Sequence, residues 1–187
     1  MKRKKKNNDI LLLLGALLVI IIFVSCITIN STNPIFYFCA ACILLSSLSL
    51  IISIIYKRKI KKKILEMTEK VKEDTVKEFF KKRDGMIAER RKNGTEYDFV
   101  GIYILFNKTK NKCYVGQSRG VIERVNNHFN GRGNERVYRD YCRGNRFTIK
   151  TISLEKSGFR SLNKLERYAI YAFDAYRQGY NKTRGNK

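Results

Sequence analysis

A chain of 187 residues has room for one compact domain and one further segment. Its 39 lysines and arginines stand against 16 acidic residues, a net charge of +23, which favours polyanionic partners, nucleic acid or anionic lipid, over acidic-surface chemistry. Five cysteines fall in no disulfide or zinc spacing, which excludes a cysteine-stapled scaffold; Cys113 and Cys142 read as free thiols of a reducing compartment.

The chain opens on a basic block, Met1-Lys2-Arg3-Lys4-Lys5-Lys6, within a short basic terminus of residues 1–9. Ile10 to Ile29 follows without a charge, dominated by Leu, Ile and Val. About 20 such residues as a helix match a hydrocarbon core of roughly 30 Å. Asn30 to Pro34 is a polar break, and Ile35 to Tyr56 is a second uncharged run of spanning length. Cys26, Cys39 and Cys42 sit in these apolar runs as small buried thiols. Lys57-Arg58-Lys59-Ile60-Lys61-Lys62-Lys63 closes the second run. Basic residues flank the outer ends and none lies in the loop, so two spans, 10–29 and 35–56, are expected with both termini cytoplasmic. Gly15, Ala16, Ala40, Ala41, Ser46, Ser47 and Ser49 are small enough for the two helices to touch. A secretory signal peptide is the rival reading, but the first run is too long for one and a second follows at once.

Residues 57–93 form a charged helical connector. Ile60, Ile64, Met67 and Val71 make a narrow apolar stripe that fails at Asp74 and Glu78 and resumes off-register at Phe79 and Phe80. That break rules out a long coiled coil. The connector is expected to dock its aromatic pair on the following domain; a short dimerising helix, giving a homodimer, is the alternative. Asn93-Gly94 ends it, and a second domain runs over 94–187.

Phe99 to Phe106 is apolar, β-branched and aromatic, and predicts a strand with little exposure. The polar run Asn107 to Lys112 predicts a turn, and Cys113-Tyr114-Val115 starts a second strand. Such a hairpin brings Tyr103 and Tyr114 onto neighbouring strands. Arg119 to Asn130 reads as a helix with Val121, Ile122, Val125 and Phe129 inward; Arg124 and His128, four apart, share a face. Gly131 to Asn134 is a loop, and Val137, Tyr138 and Tyr141 mark a short helix ending near Gly144. Phe147 to Leu154 is a third strand. Ser161 to Tyr176 is a helix with Leu162, Leu165, Ala169, Ala172 and Phe173 on one stripe and Glu166 just off its centre. Three strands with helices around them give an α/β domain.

The ordered set Gly101-Ile102-Tyr103, ten residues, Tyr114-Val115-Gly116, then Arg124 and His128, resembles the GIY-YIG nuclease family. Leu162 to Arg167 resembles that family's helix with its metal-binding glutamate, and Gly179 to Gly185 resembles its closing segment. The likeness covers Asp98 to Lys187. It implies a small α/β domain with a three-stranded sheet and hydrolysis of DNA, with RNA an alternative substrate. The apolar runs and the charged helix would attach that domain to a transmembrane hairpin; a non-catalytic membrane-tethered nucleic-acid-binding protein or a basic membrane-surface protein are the alternative readings. The likeness implies Tyr103 as general base and Tyr114 as its assistant. An unperturbed tyrosine, pKa about 10, is a poor base, so Arg124 is needed to favour the phenolate and to stabilise charge on phosphorus. His128 positions the phosphate, shuttles a proton or replaces Tyr103 as base. The likeness implies Glu166 as the metal ligand, a hard oxygen suited to Mg²⁺ or Mn²⁺, with Asp140 and Asp174 as the alternative carboxylates. With no paired carboxylates, a single metal is expected. Asn181 binds a phosphate oxygen or tethers the C-terminal segment. Lys110, Lys112 and Arg119 read as backbone-binding charge. Some homing endonucleases of the family carry a further histidine, and many members a separate recognition module; this chain has neither.

Overall fold

The computed structural model describes residues 15, 17, 19–21, 34–94 and 96–186. The chain divides into two compact units, Met1–Lys59 and Ile60–Lys187.

In the first unit, Gly15, Leu17 and residues 19–21 are helical; the rest of the expected span 10–29 and the loop 30–33 lie outside the described residues. A long helix, α1, runs over Pro34–Glu69. Its side chains from Ala41 to Ile55 are uncharged and, four serines apart, apolar, and Ile43, Leu45, Leu48, Ile52 and Ile55 are exposed. A helix apolar on every face wants an apolar medium on every face. Its hydroxyls close on their own backbone: Ser46 Oγ donates to Ile43 O and Ser47 Oγ to Leu44 O, each at 2.8 Å. Among the described residues this is the one helix long and apolar enough to cross a membrane, with mean hydropathy 1.6 and nothing in that stretch buried. Two spans were expected from composition; the described residues supply one.

The second unit is built on a four-stranded antiparallel sheet, one strand more than the sequence suggests. Its strands are β1 (Asp74–Thr75), β2 (Gly101–Asn107), β3 (Lys112–Ser118) and β4 (Phe147–Ser153), in the order β1-β4-β2-β3. The extra strand falls where the apolar stripe of the connector fails. Two residues carry no periodicity, and Asp74 and Thr75 become a strand only by pairing with Ile149 and Thr148. The connector is therefore two helices, the end of α1 and α2 (Val76–Asn93), rather than one. Thr75 and Glu78 start α2 with a reciprocal capping box, and Gly94 ends it in the left-handed conformation at φ 68°.

Four helices follow the hairpin: α3 (Val121–Phe129), α4 (Glu135–Cys142), α5 (Leu154–Ser157) and α6 (Leu162–Phe173). Central strand β2 is buried on both faces, which explains its unbroken apolar run. On one face Ile102, Ile104, Val115 and Ile152 pack with Leu165, Ala169 and Ile170 of α6 and with Ile60 and Ile64. On the other, Tyr103, Leu105 and Ile149 pack with Val121, Val125 and Phe129 of α3, Val137 of α4, and Val76 and Phe79 of α2. The apolar residues of α2 thus serve the core of their own domain. Cys42, Cys113 and Cys142 are free thiols; burial, then Asp174, pushes the Cys113 thiol up to about 12.

Candidate active site

The hairpin register decides how the two phenols meet. Tyr103 pairs with Gly116, and Leu105 with Tyr114, so both tyrosines point to the same face, one pair apart on the diagonal. Their ring centroids are 6.1 Å apart. The Tyr103 ring lies across Gly116: a Cβ there would collide with its Oη and Cζ. Tyr103 is almost fully buried and Tyr114 is half-buried.

Helix α3 brings the next two groups. Its N-cap, Gly120, has no side chain to offer, and Asp98 supplies the cap from outside. The Asp98 carboxylate accepts the N–H of Ile122 at 2.8 Å and of Glu123 at 3.0 Å, a negative charge at a helix N-terminus. With Val121, Ile122, Val125 and Phe129 turned inward, Arg124 stays exposed and His128 one turn later is fully buried. His128 Nε2 lies 2.9 Å from Tyr103 Oη. The backbone N–H of Asn134 donates to His128 Nδ1 at 2.9 Å. The imidazole is tilted against both phenols, with centroids 5.3 Å from Tyr103 and 4.9 Å from Tyr114.

Burial, then the nearby Arg124 charge, holds His128 down at about 4, so the ring is neutral near pH 7. Burial first, and then Tyr114, pushes the Tyr103 phenol well above its usual range; Arg124 pulls it back by charge and by a hydrogen bond. Tyr114 is also raised by burial, against Arg124 and Tyr103, which lower it.

Glu166 enters on α6, whose N-terminus is capped by the Ser161 hydroxyl accepting Lys164 N–H at 3.4 Å. Leu165 and Ala169 take the core, and Glu166 beside them reaches the edge strand β3, 8% exposed. Its carboxylate accepts the backbone N–H of Asn186 at 3.3 Å and that of Gln117. Burial raises its pKa, and these two donors oppose the rise.

The C-terminal segment closes the site. Asn181 Oδ1 accepts Val115 N–H at 2.9 Å and its Nδ2 donates to Val115 O at 2.7 Å. The amide pairs with the edge strand as another strand residue would. Tyr103, Tyr114, Gln117, Arg124, Glu166, Asn181 and Lys182 line one cleft of about 310 Å³.

Five of the predicted positions therefore meet in one cleft, and His128 supports it from beneath. Three predicted positions do not join it. Lys110 Nζ is 2.6 Å from Asp140 Oδ1, in an ion pair on the flank of the hairpin turn. Lys112 and Arg119 are exposed and outside the cleft lining. The sequence reading missed Asp98, Gln117, Asn134 and Lys182. An N-cap residue before Glu135 would have marked Asn134 as the start of α4, which it caps through Arg136 N–H and Val137 N–H, but not as the partner of His128. Among the described residues no three or more His, Cys, Asp or Glu side chains are grouped so that they could hold a metal ion by themselves.

No curated protein and no solved structure matches the chain. Residues 99–181 match the family model described as the GIY-YIG catalytic domain. That interval contains Tyr103, Tyr114, Arg124, His128, Glu166 and Asn181; Lys182, Thr183 and Asn186, which also line the cleft, follow it. Residues 99–181 are a GIY-YIG catalytic domain, which makes this chain a nuclease, a phosphodiester hydrolase acting on nucleic acid.

Proposed function

We propose that the protein is a membrane-anchored endonuclease that hydrolyses DNA at the cytoplasmic face with one divalent metal ion, Mg²⁺ or Mn²⁺. The observation that carries this reading is the meeting of Tyr103, Tyr114, Arg124 and Glu166 along the edge strand β3. The donor set suits a hard cation. Glu166 offers one carboxylate, and Gln117 beside it keeps Oε1 buried with no hydrogen-bond partner among the described residues. Glu166 would hold the metal, with solvent and phosphate oxygens completing the shell. When bound, the ion supplies a Lewis acid for the phosphate and extra positive charge beside the phenols.

The residues divide the remaining work. Arg124 faces both phenols, hydrogen-bonds Tyr103 and, being exposed, offers the remaining N–H groups of its planar fork to phosphate oxygens. Tyr103 takes the proton of the attacking water, with Tyr114 beside it to orient that water. Because burial raises both phenols, ionisation depends on the positive charge around them. Lys182, at the cleft, and the exposed Lys112 and Arg119 attract the backbone without reading bases.

The membrane part of the proposal is the hairpin 10–29 and 35–56, with the basic blocks Lys2–Lys6 and Lys57–Lys63 retained inside. It is supported by the all-round apolar exposure of α1. Impermeant maleimide labelling of a Ser31→Cys variant in intact cells, above the parent's background, is expected; labelling only after lysis would reverse the topology. The nuclease proposal is tested with the full chain in lipid nanodiscs on plasmid DNA and on RNA. Mg²⁺-dependent cleavage of DNA is expected, lost in Tyr103→Phe and Glu166→Ala. Retained DNA binding without cleavage by the parent would leave a nucleic-acid tether instead.

A further inference from the structure

We infer that His128 serves the cleft as a fixed hydrogen-bond donor to Tyr103, its tautomer set by the backbone amide of Asn134, and not as a proton acceptor. It is a positioning residue, and its role in the reaction rests on the nuclease reading above.

The argument begins at Nδ1. A backbone N–H can only donate, so the 2.9 Å contact from Asn134 requires a lone pair on Nδ1. The neutral ring then carries its proton on Nε2, the nitrogen 2.9 Å from Tyr103 Oη. Tyr103 Oη is the acceptor of that bond, and its own proton has to point elsewhere. A doubly protonated ring would set an Nδ1–H against the Asn134 N–H and add a positive charge near Arg124.

The Nδ1 side is also closed to exchange. His128 is fully buried. The chain at Gly133 comes so near that a Cβ there would lie 2.6 Å from Nδ1 and 2.7 Å from the His128 Cα. Only glycine lets the backbone pass close enough to deliver the Asn134 amide. The same Asn134 uses its side chain to cap α4, so one residue anchors both the helix start and the imidazole.

The consequence for catalysis is directional. When Tyr103 Oη gives up its proton, Nε2–H is already aimed at the oxygen and stabilises the phenolate. The proton leaves on the cleft side, where Tyr114 and Arg124 stand, because the imidazole has no vacant nitrogen to receive it. A buried ring held by two hydrogen bonds also fixes the angle of the phenol it contacts.

The chain has a single histidine, which makes the assignment directly measurable. The full chain, labelled with ¹⁵N-histidine in nanodiscs, is examined by long-range ¹H–¹⁵N correlation at neutral pH. One protonated nitrogen assigned to Nε2 and one unprotonated nitrogen assigned to Nδ1 are expected. A proton on Nδ1, on both nitrogens, or averaged between them overturns the proposal. Cleavage by His128→Gln and His128→Leu gives the second readout. A glutamine amide N–H reaches the place of Nε2–H, so His128→Gln stays within about tenfold of the parent, while His128→Leu loses roughly 10- to 100-fold in kcat with KM little changed. Equal loss in both variants overturns the donor role. A parent that does not cleave overturns the nuclease reading and the catalytic role with it, while the tautomer still decides the hydrogen-bond assignment.

Discussion

Lys110 sits in the hairpin turn where a phosphate-binding lysine would be at home, yet its ammonium is paired with Asp140 at 2.6 Å. The Asp140 side chain is 7% exposed and that of Lys110 is 40% exposed. The second Asp140 oxygen accepts from Tyr180 Oη at 2.7 Å, and Tyr180 Oη accepts from Asn107 Nδ2 at 2.7 Å. This network ties the turn, α4 and the C-terminal segment together. Burial pushes the Asp140 carboxyl up, but Lys110 and Tyr180 outweigh it and hold the group below the usual carboxylate range. Replacing Lys110 by Met keeps the aliphatic stem, removes the charge, and leaves Asp140 with one hydrogen-bond donor. Breaking a fully buried pair costs about 3–5 kcal/mol. Since Lys110 is well exposed, water reaches the orphaned carboxylate, and a loss of roughly 1–3 kcal/mol is expected. Urea unfolding of the full chain in a fixed detergent, followed by tyrosine fluorescence since the chain has no tryptophan, reads this as a lower midpoint at constant m. DNA affinity measured against salt should keep its slope. A slope shallower by about 0.9 with an unmoved urea midpoint would make Lys110 a phosphate contact and refute the argument.

Gly116→Ala forces the Tyr103 ring off its place across the strand. We expect cleavage to fall by about 100-fold while stability drops by only roughly 1–3 kcal/mol, checked by plasmid cleavage and urea unfolding. Asp98→Ala removes the external cap of α3, and a loss of about 1–2 kcal/mol is expected, largely restored in Asp98→Asn, by the same unfolding assay. The His128 pKa is depressed in the folded state to about 4, so the unfolded chain takes up the proton first as pH falls. Its contribution to stability is present above about pH 6.5 and lost between there and about pH 4, on the order of 3 kcal/mol. Subtracting the pH curve of His128→Gln from that of the parent isolates this loss; parallel curves would contradict it.

Much of the domain is legible along the chain. Strands β2, β3 and β4 and helices α3, α4 and α6 all announce themselves, because apolar periodicity and turn residues act over a few neighbours. The spacing of Tyr103, Tyr114, Arg124 and Glu166 likewise marks the cleft, since strand register and helix pitch carry those positions to one edge. What escapes is whatever depends on partners far away in sequence. Strand β1 exists through β4, some 75 residues on. Lys110 finds Asp140, 30 positions on, as its ion-pair partner, and Asn181 pairs with the edge N–H and C=O of Val115. His128, one of several things as a letter beside Arg124, becomes a hydrogen-bond donor only once Gly133 lets the Asn134 amide approach. Local pattern selects elements; desolvation and pairing across the fold then assign each polar side chain its partner, and no window of neighbouring residues contains that information.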